Sequence, residues 1–259
     1  MAITSIYSVV FAGNDLSLLN GVTLYNHDAN KFPERNVIRN RLARRDKSII
    51  TSSNYTFKEI PVYMDICGGS KTTTEEYIAQ VKAVLQPQNQ SLKVLNSGKE
   101  VEYTATLNQF NIQWNGANAY CELVFMVSDP IGKAVDTTTM FNIAGNTNAI
   151  KYETFKVNGS SLAYPIITVT VNSVTGGTGK TITLQNGFTN QGIRVTADWV
   201  DNDVLIVDSS IMKVTINGLN VDFKGMFPQF AAGSQQFSYL DDFDDRNVDI
   251  TATYQERYV

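Results

Sequence analysis

Apolar residues recur at every second position through most of this 259-residue chain. That period puts one face of a β-strand in a core and the other in water. Ile60, Val62, Met64 and Ile66 form one such face, Val101, Tyr103, Ala105 and Leu107 another, and Phe110, Ile112 and Trp114 alternate with Asn111 and Gln113. The run AYCELVFMV, residues 119–127, is nearly continuously apolar and predicts a central strand buried on both faces. One segment follows a different period. In TTTEEYIAQVKAVLQP, Tyr77, Ile78, Val81, Val84 and Leu85 recur at helical spacing, threonines stand three residues ahead of Glu75 and Glu76 as in a capping box, and Pro87 stops the run. The spacing predicts one amphipathic helix, about 74–86.

From Asp129-Pro130 to Ser161 the chain is rich in Asn, Thr, Gly and Ser and alternates less, which marks a domain junction. Regular alternating units follow: Ile193/Val195/Ala197, Met212/Val214/Ile216, Leu219/Val221/Phe223 after the turn pair Asn217-Gly218, and Val248/Ile250/Ala252/Tyr254. The expected architecture is mainly β, with residues 1–135 a β-rich domain carrying one helix and residues 136–259 an antiparallel β-sandwich.

The stretch TVNSVTGGTGKTITL, residues 170–184, contains Gly-Lys-Thr behind a run of glycines and invites a phosphate-binding reading. Val174 stands where the first glycine of that motif belongs, and Thr181-Ile182-Thr183-Leu184 alternates as a strand where a helix should begin. With Ile167, Val169 and Val171 alternating upstream, the expected local structure is a β-hairpin turned by the glycines.

Composition narrows the chemistry. The net charge of −4 disfavours a general nucleic-acid binder, which carries a basic excess to displace counterions from phosphate. Cys67 and Cys121 flank or sit in apolar runs and read as two reduced, core-filling thiols, with too few soft ligands for a metal site. The one histidine, His27, reads as a loop residue, and no serine occupies a nucleophile elbow, so no catalytic constellation, cofactor site or metal site is expected. The acidic run YLDDFDDRNVD lacks the spacing and glycine of a calcium loop and reads as a solvated turn. No apolar run is long enough for a membrane span and the start lacks a basic leader, which predicts a soluble protein not exported by that route.

The sharpest charge feature is PERNVIRNRLARRDK, residues 33–47, where Arg35, Arg39, Arg41, Arg44, Arg45 and Lys47 cluster in an otherwise acidic chain. Two readings stand side by side: a solvated basic loop, or a docking surface whose forked guanidinium donors meet carboxylates on a neighbouring subunit. Nucleic acid ranks behind both, because no aromatic stacking platform is interleaved with the cations.

Taken together, the order of features resembles the distal tail protein family of long, non-contractile-tailed phages. The first part carries FAGNDLS, the basic segment, the strand KEIPVYMDI, the short helix and ELVFMVSDP; the second carries SLAYPIITVTV, DNDVLIVDSSIMKVTINGLNV and FPQFAAGSQQF. The resemblance implies a structural virion protein without enzymatic activity, made in the host cytoplasm and placed at the distal end of the tail. It implies a homo-oligomeric ring, a hexamer, formed by the N-terminal domains with galectin-like C-terminal sandwiches projecting outward. The implied partners are the tail-tube protein on one face, the tail-tip or hub protein on the other and a receptor-binding protein. The Arg35 to Lys47 segment would then be an inter-subunit or adaptor contact. The alternative is a carbohydrate-binding module at the host surface, with Trp199, in TADWVDND, as the ring on which a sugar stacks.

Overall fold

The computed structural model describes residues 8–29, 33, 35–41, 48–55, 57–96 and 98–259, and for 35–41, 48–55 and 96 the backbone alone. The chain divides into two compact units, Met1–Val135 with Val259, and Asp136–Tyr258. The first contains β1 (Val9–Phe11), β2 (Asn14–Asp15), β3 (Val22–His27), β4 (Arg35–Arg41), β5 (Ser48–Tyr55) and β6 (Lys58–Cys67). After these come α1 (Lys71–Leu85), β7 (Gln90–Asn96), β8 (Lys99–Asn115), β9 (Asn118–Val127) and the start of β10 (Gly132–Asn146).

All pairings in this unit are antiparallel, and β8 organises them. Its first half pairs with β7 and its second with β9, with one extra residue, Asn108, between the registers Leu107↔Phe125 and Gln109↔Val124. Such a bulge re-aims the strand. The alternation of Val101, Tyr103 and Ala105 therefore serves one core, and Phe110 and Trp114 lie beneath lysines of the helix, Lys82 and Lys71. β9 sits between β6 and β8, in the central position that its apolar run predicts. Only one of its faces is closed: Ala119, Cys121, Leu123, Phe125 and Val127 are buried, while Met126 on the other face is exposed.

The helix starts earlier than its threonines suggest. Ser70 is the cap, its hydroxyl accepting the Thr73 N–H at 3.2 Å, so Lys71 to Thr73 form the first turn. Thr74 instead turns inward, its hydroxyl donating to the Ala117 carbonyl at 2.7 Å, and with Ile78, Val81 and Leu85 it forms the buried stripe. Two other expectations are corrected. His27 closes strand β3, in register with Val62, because its partner strand continues past it; Cys67, the last residue of β6, is exposed rather than core-filling.

The second unit adds β11 (Ile150–Val157), β12 (Ile166–Thr175), β13 (Lys180–Asn186), β14 (Gly192–Ala197), β15 (Asp203–Asp208) and β16 (Lys213–Ile216). It ends with β17 (Leu219–Asn220), β18 (Lys224–Gly225), β19 (Gly233–Asp241) and β20 (Asp245–Tyr258). One sheet runs β17-β16-β15-β12-β20-β10 and the other β11-β19-β13-β14-β18. The inward positions of both, among them Ile167, Val169, Ile250, Ile182, Val195 and Phe237, form a single apolar cluster, so this unit is an antiparallel sandwich. The final strand β20 lies between β12 and β10. Asn217 and Gly218, with φ of 51° and 81°, make the two-residue turn from β16 to β17 that their identity predicts.

The Asn- and Thr-rich stretch after Pro130 is itself regular: it forms most of β10 and β11, whose outward polar positions mask the alternation, and the two units divide within it, after Val135. Two readings of this half change. Met212 stands outside β16 with φ of 55° and is exposed. β12 and β13 are not a hairpin, since β12 pairs with β15 and β20 and β13 with β14 and β19. The glycines between them carry the chain from one sheet to the other. A Cβ on Gly177 would lie 2.2 Å from the Trp199 carbonyl oxygen, so the crossing is tight enough to require glycine. Lys180 then opens a strand, not a helix, and no phosphate loop forms.

Among the described residues no helix is long and apolar enough to cross a membrane. One buried cation stands out in the first unit. Lys58 is 1 % exposed, with its Nζ 3.4 Å from the Tyr103 hydroxyl, and burial lowers its pKa to about 8. The unfolded chain holds that proton more tightly, so stability rises as the pH increases from about 8 towards the ordinary lysine value. Lys58→Met is expected to stabilise the first unit by about 1–3 kcal/mol at neutral pH and to flatten that rise. Thermal unfolding of both proteins at pH 7 and pH 10 checks it.

Candidate functional site

The basic segment begins as a strand. β4 and β5 pair only with each other among the described residues, in a two-stranded sheet with the register Arg35↔Tyr55, Arg39↔Ile50 and Arg41↔Ser48. Thr51 is an extra residue on β5, opposite the step from Ile38 to Arg39. Arg35, Arg39 and Arg41 thus lie along one arm of a hairpin, which corrects the reading of this part as a loop. Arg44, Arg45 and Lys47 fall outside the described residues. The sequence signal for the arm is one β-branched pair on each strand, Val37-Ile38 on β4 and Ile49-Ile50 on β5, which the surrounding charge obscures.

Trp199 is inside the sandwich. It is 3 % exposed, its indole N–H donates to the Lys180 carbonyl at 2.9 Å, and its ring meets Phe243 edge-on at 6.3 Å. A sugar has no access to either face of the ring, so stacking on Trp199 is set aside: the large apolar area that suggests a platform is spent on the core.

The acidic run is engaged by donors of its own chain. Arg246 Nε lies 2.8 Å from Asp241 Oδ1, with the carboxylate wholly buried, and burial pushes the Asp241 pKa up against the opposing pull of Tyr239, Phe243 and Arg246. Asp242 accepts the Thr181 N–H at 2.6 Å, and Asp244 pairs with Lys180 at 3.4 Å. Among the described residues no group of three or more acidic, histidine or cysteine side chains is arranged to hold a metal.

A cleft of the second unit lies on the outward face of the five-stranded sheet. Its floor is the polar half of the alternation whose other half, Ile182, Leu184, Ile193 and Val195, fills the core. Thr181 and Thr183 from β13, Arg194 and Thr196 from β14 and Leu240 from β19 line a cleft of 630 Å³, walled by Asp222, Phe223, Lys224 and Asp242. Thr181 and Thr196 share a hydroxyl hydrogen bond of 2.9 Å. Strand β18 closes one side because Gly225, at φ of 107°, approaches within the space a side chain would need: a Cβ there would lie 2.2 Å from the Gly192 carbonyl oxygen. Sequence reading missed Arg194 and Lys224, which lie thirty positions apart along the chain; only the outward place of Arg194 in its alternating run was available.

The arrangement of strands is matched by known proteins. Residues 158–258 match the model of the siphovirus-type tail component C-terminal domain. Over 98% of this chain and all of the other, the fold superposes on the Dit protein of phage SPP1 with a TM-score of 0.70 at 14% identity. The family match thus covers the C-terminal part of the chain, residues 158–258, and the likeness to Dit along the rest is one of fold. Dit of SPP1 is described as a paradigm of the hub adsorption apparatus of phages infecting Gram-positive bacteria. A component of the phage P2 baseplate, in its activated conformation with calcium, is similar at a TM-score of 0.41 and 9% identity over 95% of this chain and 97% of that one. No match to a curated protein is found by sequence. Trp199→Ala is expected to cost about 3–5 kcal/mol through the cavity it leaves, read as a fall in the unfolding temperature by calorimetry. A change of less than 1 kcal/mol would return Trp199 to the surface.

Proposed function

We propose that the protein is the distal tail ring of a phage particle, an adaptor between the tail tube and the baseplate or tail tip, and that it performs no chemistry. The family match over residues 158–258 and a fold shared along 98% of the chain support the tail assignment. The observation that carries the ring is the β4–β5 arm. A two-stranded hairpin is at best marginally stable alone in water, and this one finds no third strand among the described residues of its own chain. A neighbouring subunit supplies what it lacks: Arg35, Arg39, Arg41, Arg44, Arg45 and Lys47 offer forked and point cations to the carboxylates of an acidic protein. Repetition of one head-to-tail contact closes a ring when the rotation divides the circle, and a ring has the central passage and two distinct faces that an adaptor needs. The implied ring is a hexamer with the first units at its centre and the galectin-like sandwiches outside. Its faces meet the tail-tube protein and the hub or tail-tip protein, and receptor-binding proteins attach beyond.

Light scattering behind a sizing column tests the ring, with a hexamer as the expected mass. Reversal of Arg39 and Arg41 to glutamate is expected to weaken the assembly at least tenfold, seen as a shift to monomer at concentrations where the parent protein remains assembled. An unchanged mass profile in that double variant would remove the arm from the interface.

A further inference from the structure

The cleft on the five-stranded sheet contains a charge arrangement that the fold alone does not call for. Arg194 on β14 and Lys224 on β18 are direct cross-strand partners, so two cations stand opposite each other on the same outward face. Like charges in that position repel. Neither forms an ion pair among the described residues, although the second unit carries thirteen aspartates and glutamates. The next position across the sheet from Arg194 is Thr183, and the smaller hollow that continues the cleft past Arg194 and Lys224 adds Gln185 and Asn190, all neutral. The two hollows share Thr183, Arg194 and Lys224, which places the cationic pair between a hydroxyl-lined half and an amide-lined half.

We infer that this cleft binds an anionic saccharide, with its phosphate or carboxylate between Arg194 and Lys224 and its hydroxyl groups on the threonines of the floor. A guanidinium offers paired donors to a planar or tetrahedral anion, and the ammonium opposite adds a second point charge. Thr181, Thr183 and Thr196 both donate and accept, and Asp222 and Asp242 at the margin accept from sugar hydroxyls. Mixed donors and acceptors around one cationic centre suit a polyhydroxylated anion better than an acidic peptide, which would leave the aspartates facing its own carboxylates. The site lies wholly within the second unit, and the inference stands whether or not the β4–β5 arm joins subunits.

The test measures binding of glucose 1-phosphate, glucuronate, glucose, inorganic phosphate and a short polyaspartate to the full-length protein by chemical-shift perturbation or calorimetry. Either charged sugar, or both, is expected to bind at least tenfold more tightly than glucose and than inorganic phosphate, and to weaken as salt is raised. The preference between the two identifies the anion as phosphate or carboxylate. Arg194→Gln with Lys224→Gln is expected to abolish the preference for the charged sugar while leaving the unfolding temperature unchanged or slightly higher, because the repulsion is relieved. Equal binding of glucose, tightest binding of polyaspartate or inorganic phosphate, no binding of either charged sugar, or an unaltered preference in the double variant would each overturn the inference.

Discussion

The second unit depends on one apolar layer trapped between two sheets. Ile167, Val169, Leu205, Val207, Val248 and Ile250 enter it from one side and Ile182, Leu184, Ile193, Val195, Phe237 and Tyr239 from the other, all essentially sealed from water. Every feature of the outward surface follows from that layer, because period-two alternation fixes which side chain faces out once its neighbour faces in. The threonine floor of the cleft, and Arg194 within it, are the obligatory complement of the core. The tight crossing at Gly177 and the buried Trp199 serve the same layer, carrying the chain between sheets and closing the end with a satisfied indole N–H.

The first unit solves a different problem. Its strands bury one face, and the helix covers part of that same face by laying Ile78, Val81 and Leu85 inward and the stems of Lys71 and Lys82 over Trp114 and Phe110, which pair with the buried Ala119 and Leu123. A single bulge at Asn108 lets β8 serve two sets of partners, which keeps one long strand in place of two short ones. Among the described residues of the same unit, β4 and β5 pair only with each other, and this contrast between well-paired and self-paired strands is what directs attention to assembly.

What the sequence reveals is decided by the range of each interaction. Strand identity is local, so Ile60 to Ile66, Val248 to Tyr254 and the Asn217-Gly218 turn are read correctly from alternation and turn chemistry alone. Strand pairing is not local: the patterns of Ile167 to Val171 and Ile182 to Leu184 say which residues face inward, and nothing in them says that they face each other across the core instead of lying side by side. Trp199 misleads for the same reason, since the carbonyl that satisfies it belongs to Lys180, nineteen positions earlier. In the basic arm, charge hides the strand. In the cleft, Arg194 and Lys224 become neighbours only through a short edge strand that glycine geometry creates.

The central claim is that this chain is built into the far end of a phage tail. Gold labelling of an epitope tag fused to the protein, imaged on purified particles by electron microscopy, addresses it most directly. The account predicts label confined to the tail end opposite the head. Label on the head, spaced along the tube, or absent from particles that carry the tagged gene product would contradict it.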